Sequence, residues 1–122
     1  MTEKEIFIEN FKKRTKRFAV DVILFTESLK PGKASDIVTY QLVKAATSTG
    51  ANYRAACRAR SKADFFNKIC IVDEEADEST YWLEVIQEAK LSKNENGLLS
   101  LLNEASEISR IVGKAKDTSF KK

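Results

Sequence analysis

The sequence predicts an all-α domain: an antiparallel bundle of four helices running up, down, up and down. Three observations predict it. Breakers are sparse, with one proline and four glycines in 122 residues, which suits a few long helices better than many short strands. Apolar side chains recur at helical spacing through four consecutive stretches. The polar breaks between those stretches are short, so consecutive helices must be antiparallel neighbours. A chain of this length forms one domain with room for a self-sufficient core.

The first helix is expected from about Glu5 to Leu29. Phe11, Phe18 and Phe25 recur every seven residues, with Ile8, Thr15, Val22 and Leu29 beside them. Together they form a bundle-type stripe. Lys30-Pro31-Gly32-Lys33 then stops the helix and turns the chain. The second helix is expected to start at Ser35 or Asp36, either of which can cap it, and to run to Arg60. Its inner stripe reads Val38, Leu42, Ala45, Thr49, Asn52, Ala56 and Ala59. These side chains are mostly small, so a neighbouring helix can approach closely. Gly50 interrupts the pattern at a cost of up to ~1 kcal/mol against alanine, and close backbone contact is expected to offset it.

A tight turn at Ser61-Lys62 leads into the third helix. Ser61 is its expected N-cap, with Asp64 at the capping-box position three residues on. Phe65, Ile69, Val72, Ala76, Ser79, Leu83 and Ile86 form the inner stripe, and the helix is expected to end near Leu91. Ser92-Lys93-Asn94 is a polar linker in which Asn94 can cap the fourth helix. That helix carries Leu98, Leu101 or Leu102, Ala105, Ile108, Val112 and Ala115. Gly113 marks expected fraying, and Lys114–Lys122 is expected to be a loose basic tail.

Composition narrows the chemistry. There is no histidine, which excludes His-assisted zinc and di-iron sites and Ser-His or Cys-His nucleophiles. Cys57 and Cys70 have no metal-type spacing and read as buried thiols in a reducing cytoplasm. No stretch approaches the ~18 apolar residues of a membrane span. The N-terminal residues lack a signal layout, so a cytoplasmic protein without membrane partners or cofactors is expected. Net charge is +3, but residues 1–62 hold 13 Lys/Arg against 6 Asp/Glu, whereas residues 63–122 hold 8 against 12. Such asymmetry points to a nucleic-acid face, or to complementary surfaces that meet each other.

The outer helix faces are not fully polar. On the third helix Ile71, Glu74, Glu78, Tyr81 and Val85 point away from the inner stripe, with Trp82 on the flank. Tyr40, Val43, Thr47, Ala51, Arg54 and Arg58 do so on the second helix, and Val20 and Leu24 on the first. Apolar residues outside the core stripe call for a second burial partner, so a homo-oligomer is expected; scattered exposed apolar residues are the plain alternative. Arg54 and Arg58 lie one turn apart, and Glu74 and Glu78 repeat that spacing. Across a subunit boundary the two pairs could meet, since arginine forks match carboxylates. Otherwise all four are solvated.

Two basic groups stand out. Lys12, Lys13, Lys16 and Arg17 fall mostly on the outer side of the first helix, while Arg14 leans toward the core. Arg54, Arg58, Arg60 and Lys62 gather near the hairpin tip. As a nucleic-acid site these would neutralise phosphates without reading sequence. A solvated helix face is the alternative. No aromatic interleaving of the single-strand stacking type is present.

The segments Y-R-A-A-x-R-A-R-S-x-A-D-F from Tyr53 to Phe65 and I-V-x-E-E-A-D-E-S-x-Y-W-L from Ile71 to Leu83 resemble a bacterial family. Its members are four-helix-bundle proteins first noticed as products of intervening sequences inside 23S ribosomal RNA genes. The resemblance spans almost the whole chain. It implies an antiparallel four-helix bundle assembled as a homopentamer around a central opening, with association to RNA or DNA. Related accessory proteins of diversity-generating retroelements form such rings and are thought to bind nucleic acid through basic surfaces. The motif positions Arg54, Arg58, Arg60, Asp64, Phe65, Lys68, Glu74, Glu75, Asp77, Glu78, Trp82 and Leu83 are all present.

The acidic run raises one enzymatic alternative. Glu74-Glu75-x-x-Glu78 with Glu104-x-x-Glu107 is similar to the all-α nucleotide pyrophosphohydrolases of the MazG type, which hold Mg²⁺ with carboxylates from two helices. That family's second motif ends in Asp where this chain has Glu107, and Glu74 and Glu78 point outward by helical count. The expected role is therefore non-enzymatic nucleic-acid binding by a ring, and a protein-interaction scaffold is the alternative in another class.

Overall fold

A computed structural model describes residues 1–120. Its helices are α1 (Glu3–Thr26), α2 (Lys33–Ala56), α3 (Lys62–Glu88) and α4 (Glu95–Phe120). They pack in chain order around one core, and α4 closes the bundle against α1. The α2–α3 seam is the most extensive and the α1–α4 seam the least. The expected all-α antiparallel bundle is the observed fold.

Local chemistry sets the boundaries. The Thr2 hydroxyl accepts from the Glu5 N–H at 3.1 Å while Glu5 Oε1 accepts from the Thr2 N–H at 3.0 Å. This capping box starts α1 two residues before the expected Glu5. Gly32 caps α2 at φ 148, a conformation open essentially to glycine alone. The helix therefore begins before Ser35, and Ser35 and Asp36 are not its cap; Ser35 is instead buried. Ser61 caps α3 by accepting from the Asp64 N–H at 3.1 Å, and Asn94 does the same for the Gly97 N–H at 2.9 Å, both as expected.

Three expected ends move inward. α1 stops at Thr26 rather than Leu29, α2 at Ala56 rather than Arg60, and α3 at Glu88 rather than Leu91. α3 ends with Lys90 at φ 56. The Leu91 N–H reaches the Ile86 carbonyl and the Lys90 N–H reaches that of Gln87, which is the Schellman pattern. The last helix runs the other way: from Lys114 to Phe120 it stays helical, so most of the expected loose tail is ordered. Lys121 and Lys122, the end of that tail, lie outside the described residues.

The core follows the predicted stripes closely. Phe11, Thr15, Phe18, Val22, Phe25 and Leu29 are buried from the first helix and its exit, and Ile69, Val72, Ala76, Ser79, Leu83 and Ile86 from α3. Leu98, Leu101, Ala105, Ile108 and Val112 complete it from α4. On α2, Tyr53 is buried where Asn52 was expected, and its ring meets Phe11 edge-on at 4.8 Å. Asn52 turns to the flank and donates to the Ser48 carbonyl. Ala59, expected in the stripe, lies beyond the helix end. Buried hydroxyls of Thr15, Thr49 and Ser79 bond carbonyls one turn back, so none is left unsatisfied. Gly50 explains itself: a Cβ there would come within 3.3 Å of the Thr15 carbonyl. The expected close backbone approach is therefore present, between α1 and α2.

The two ends of the bundle differ. At one, the Lys30 N–H donates to the Leu91 carbonyl at 2.8 Å and the Lys93 N–H to that of Ser28 at 2.9 Å. These bonds tie the α1–α2 and α3–α4 connections together. The other end carries the start of α1, the 57–61 connection and the last turns of α4.

Candidate nucleic-acid interface

Antiparallel packing sets the basic group at the middle of α1 beside the last turns of α2, which lead to the second basic group at the untied end. Phe11 touches Tyr53 and Thr15 faces Gly50, so the first half of α1 lies beside the last turns of α2. Lys12 comes near enough to Cys57 to act on its thiol. Burial is the larger influence and pushes that thiol up, with the Tyr53 hydroxyl and Lys12 opposing it. Burial likewise drives the Tyr53 phenol up, with Cys57 adding to it.

The charge is unevenly spread. Residues 1–17, 54–68 and 110–120 hold 14 Lys/Arg against 5 Asp/Glu, and three of those cations, Arg14, Arg17 and Lys116, reach out to Glu104, Glu107, Asp21 and Asp73. With those four carboxylates included, this part of the bundle holds 14 against 9 and the other described residues 5 against 9. The untied end is thus the more positive pole, and an extended polyanion would be drawn toward it.

The eight proposed contact residues do not stand alike. Lys13, Lys16, Arg54, Arg58, Arg60 and Lys62 are exposed, and their side chains have no ion pair among the described residues. Lys12 is half-buried and pairs with Glu9 at 3.0 Å. Arg17 is exposed and pairs with Asp21 one turn on. Six of the eight therefore offer an uncommitted cation. Lys4, Lys114 and Lys116 share this pole and are not among the eight. Lys114 and Lys116 fall in the stretch expected to be a loose tail, although Arg110 and Lys114, four apart, carry helical spacing into it. Lys116 itself is committed to Asp73 on α3 at 3.3 Å.

The expected subunit face divides in a similar way. Ile71 is 43% exposed and Tyr81 55%; Glu74 is exposed as well. Trp82 and Val85 are half-buried and pack on the chain's own core, so they find burial without a second copy. The Trp82 indole N–H donates to Glu78 at 3.2 Å, which half-commits that carboxylate. Val43, named on the outer face of α2, also packs on the core, whereas Tyr40 is 64% exposed. On α1, Val20 and Leu24 are exposed as expected.

The acidic residues do not converge. Glu104 and Glu107 both accept from Arg14 across the α1–α4 seam, and Glu74 and Glu78 lie on the outside of α3. Among the described residues no three acidic or thiol side chains are grouped to hold a metal ion. No helix is long and apolar enough to cross a membrane among the same residues.

Fold and charge together define a small antiparallel four-helix bundle with one basic pole. The chain belongs to the 23S rRNA-intervening sequence protein family, whose model matches residues 10–114. A solved structure from Bacteroides thetaiotaomicron, a protein of unknown function from the S23 ribosomal protein family, is 31% identical. It superposes with a TM-score of 0.74, and the match covers 86% of this chain and 96% of that one. No curated protein matches the chain at a significant level.

Proposed function

We propose that this protein binds RNA or DNA through the phosphate backbone, as an assembly of several copies, and catalyses no reaction. The carrying observation is the positive pole: six exposed cations with no ion pair among the described residues run from the middle of α1 and the end of α2 through the 57–61 connection to the start of α3. Lysines and arginines on a rigid frame suit backbone contact without sequence reading. The committed state of Glu104 and Glu107 favours binding over MazG-type chemistry. Copies would associate through the exposed apolar side chains of the outer faces, Ile71, Tyr81, Tyr40 and Leu24 among them. Arg54 and Arg58 of one copy would lie against Glu74 and Glu78 of the next. A ring of five is what the family resemblance implies, and a ring would multiply a few charges per copy into avidity.

The test is retention of a structured RNA against salt. Binding should fall steeply as salt rises. Lys13→Glu with Lys16→Glu should weaken it by about tenfold or more at low salt without changing the particle mass. Retention unchanged by that double reversal would remove the α1 face from the site. Salt-insensitive capture would favour the scaffold reading. Arg54→Glu should reduce the sedimenting mass, and an intact assembly would dismiss the proposed pairing.

A further inference from the structure

The positive pole is also hollow. An open cleft of about 900 Å³ enters the bundle there, lined from α1, α4 and the connection between α2 and α3. Its walls are apolar: Phe7, Phe11, Ile69 and Val112 line it. The Phe7 ring stacks parallel to Phe11 at 5.8 Å yet stays 51% exposed, so it forms a wall and does not plug the space. The rim is cationic, with Lys4, Arg60, Lys62 and Lys114 among the lining residues and no carboxylate. None of these four side chains has an ion pair among the described residues. The nearby acids are already held: Glu9 by Lys12, and Asp64 by Lys68 at 2.7 Å.

A largely apolar cleft of this volume whose charged lining residues are all exposed cations fits a small ligand. The sign of the edge selects its head, and the walls select its tail. We propose that the cleft binds an anionic amphiphile, with a long-chain carboxylate as its simplest form, the alkyl chain lying between Phe7, Phe11, Ile69 and Val112 and the carboxylate at Arg60 and Lys62. A neutral apolar molecule would gain nothing from the four cations. A small polar anion would leave the walls wet. Arg60 and Lys62 belong to both readings, whereas Lys13 and Lys16 do not line the cleft, so the dye experiment can fail while the nucleic-acid reading stands.

The experiment uses the full chain and anilinonaphthalene sulfonate, an anionic apolar dye, displaced by dodecanoate or by dodecanol. Dodecanoate should displace the dye at a concentration at least tenfold below that of dodecanol. Arg60→Glu with Lys62→Glu should erase that difference. Ala59→Trp, placed in the connection at the cleft mouth and outside every helix, should abolish dye binding, with helical circular dichroism retained as the folding control. Equal displacement by acid and alcohol would overturn the proposal. So would dye binding untouched by Ala59→Trp. Dye binding that disappears as protein concentration rises would mean that a second copy fills the cleft, which also overturns it.

Discussion

Arg14 on α1 grips Glu104 on α4 with two hydrogen bonds, Nε to Oε2 and Nη2 to Oε1, both 2.7 Å long. Its Nη2 also reaches Glu107 at 2.9 Å. This is the one interhelical ion-pair network on the least extensively packed seam of the bundle, among the described residues. The hydrogen bonds it donates to Glu104 and then to Glu107 hold the guanidinium's pKa above its ordinary value. The side chains of Arg14 and Glu104 are about one-third exposed, at 34% and 30%, so solvent discounts the pair. Arg14→Ala should cost about 1–2 kcal/mol. Arg14→Lys should recover only part of that, because a lysine cannot bridge both oxygens in one plane. A double-mutant cycle with Glu104→Gln in urea unfolding checks it; a coupling energy near zero would mean that the pair is ornamental.

Gly50 sets the distance between α1 and α2. An added Cβ would meet the Thr15 carbonyl carbon and oxygen, both at 3.3 Å. These are backbone atoms in the middle of a helix and cannot rotate away. Gly50→Val should therefore destabilise by about 1–3 kcal/mol, despite removing a helix-interior glycine. Gly50→Ala sets a helical gain of up to ~1 kcal/mol against a displacement of a few tenths of an ångström and should land near neutral. Thermal melts of the two variants separate the terms. A Gly50→Val protein as stable as the parent would show that the seam can open freely.

How far the sequence led, and where it stopped, has a physical pattern. The stripes of α1, α3 and α4 were legible because their inner positions are large and apolar and repeat at 3.6 residues. α2 was harder, since its stripe is built of alanine and threonine and a rotation of one residue changes little in the pattern. That is why Asn52 stood in for Tyr53. Its end was misplaced because Ala56-Cys57-Arg58-Ala59-Arg60 contains no glycine or proline to stop a helix. The start of α1 was missed although Thr2-x-x-Glu5 carries a capping-box signature. The basic groups were visible as composition, but their gathering at one pole depends on which ends the bundle brings together. Arg14 was seen leaning inward, while Glu104, 90 residues away in the chain, could be matched to it only in the folded structure.

Lys90 adopts φ 56 to close the Schellman turn after α3. A left-handed conformation costs a residue with a Cβ roughly 1–2 kcal/mol, and glycine escapes that cost. The lysine side chain is exposed and has no ion pair among the described residues, so nothing is lost on removing it. Lys90→Gly should stabilise the fold by up to about 1 kcal/mol and raise the melting temperature by a few degrees. Gly32 at φ 148 provides the opposite case. Gly32→Ala places a Cβ on a glycine-only conformation and should destabilise by about 1–3 kcal/mol, although a Cβ there would meet nothing within 4 Å. If both variants melt with the parent, backbone conformation is not what fixes these two turns.

Acid should weaken the untied end first. The Glu5 carboxyl is held below its ordinary 4.5 chiefly by the Thr2 backbone N–H, with the Thr2 hydroxyl adding to it. Asp64 lies below its ordinary 3.8 chiefly through Lys68, and next through the Arg60 N–H. A carboxyl depressed in the folded state adds stability that is fully present above its unfolded value and is lost as pH falls through the folded one. Both contributions are therefore intact at neutral pH and fade below about pH 4.5. They belong to the helix starts of α1 and α3, the two elements that open at the basic pole. Glu5→Gln and Asp64→Asn should each lower stability at neutral pH and flatten its decline from about pH 5 to pH 3. Amide hydrogen exchange followed across that range should show the first turns of α1 and α3 losing protection before the bridged Leu29–Ser92 end. Protection lost at both ends together would show that the acid response is global and does not begin at these caps.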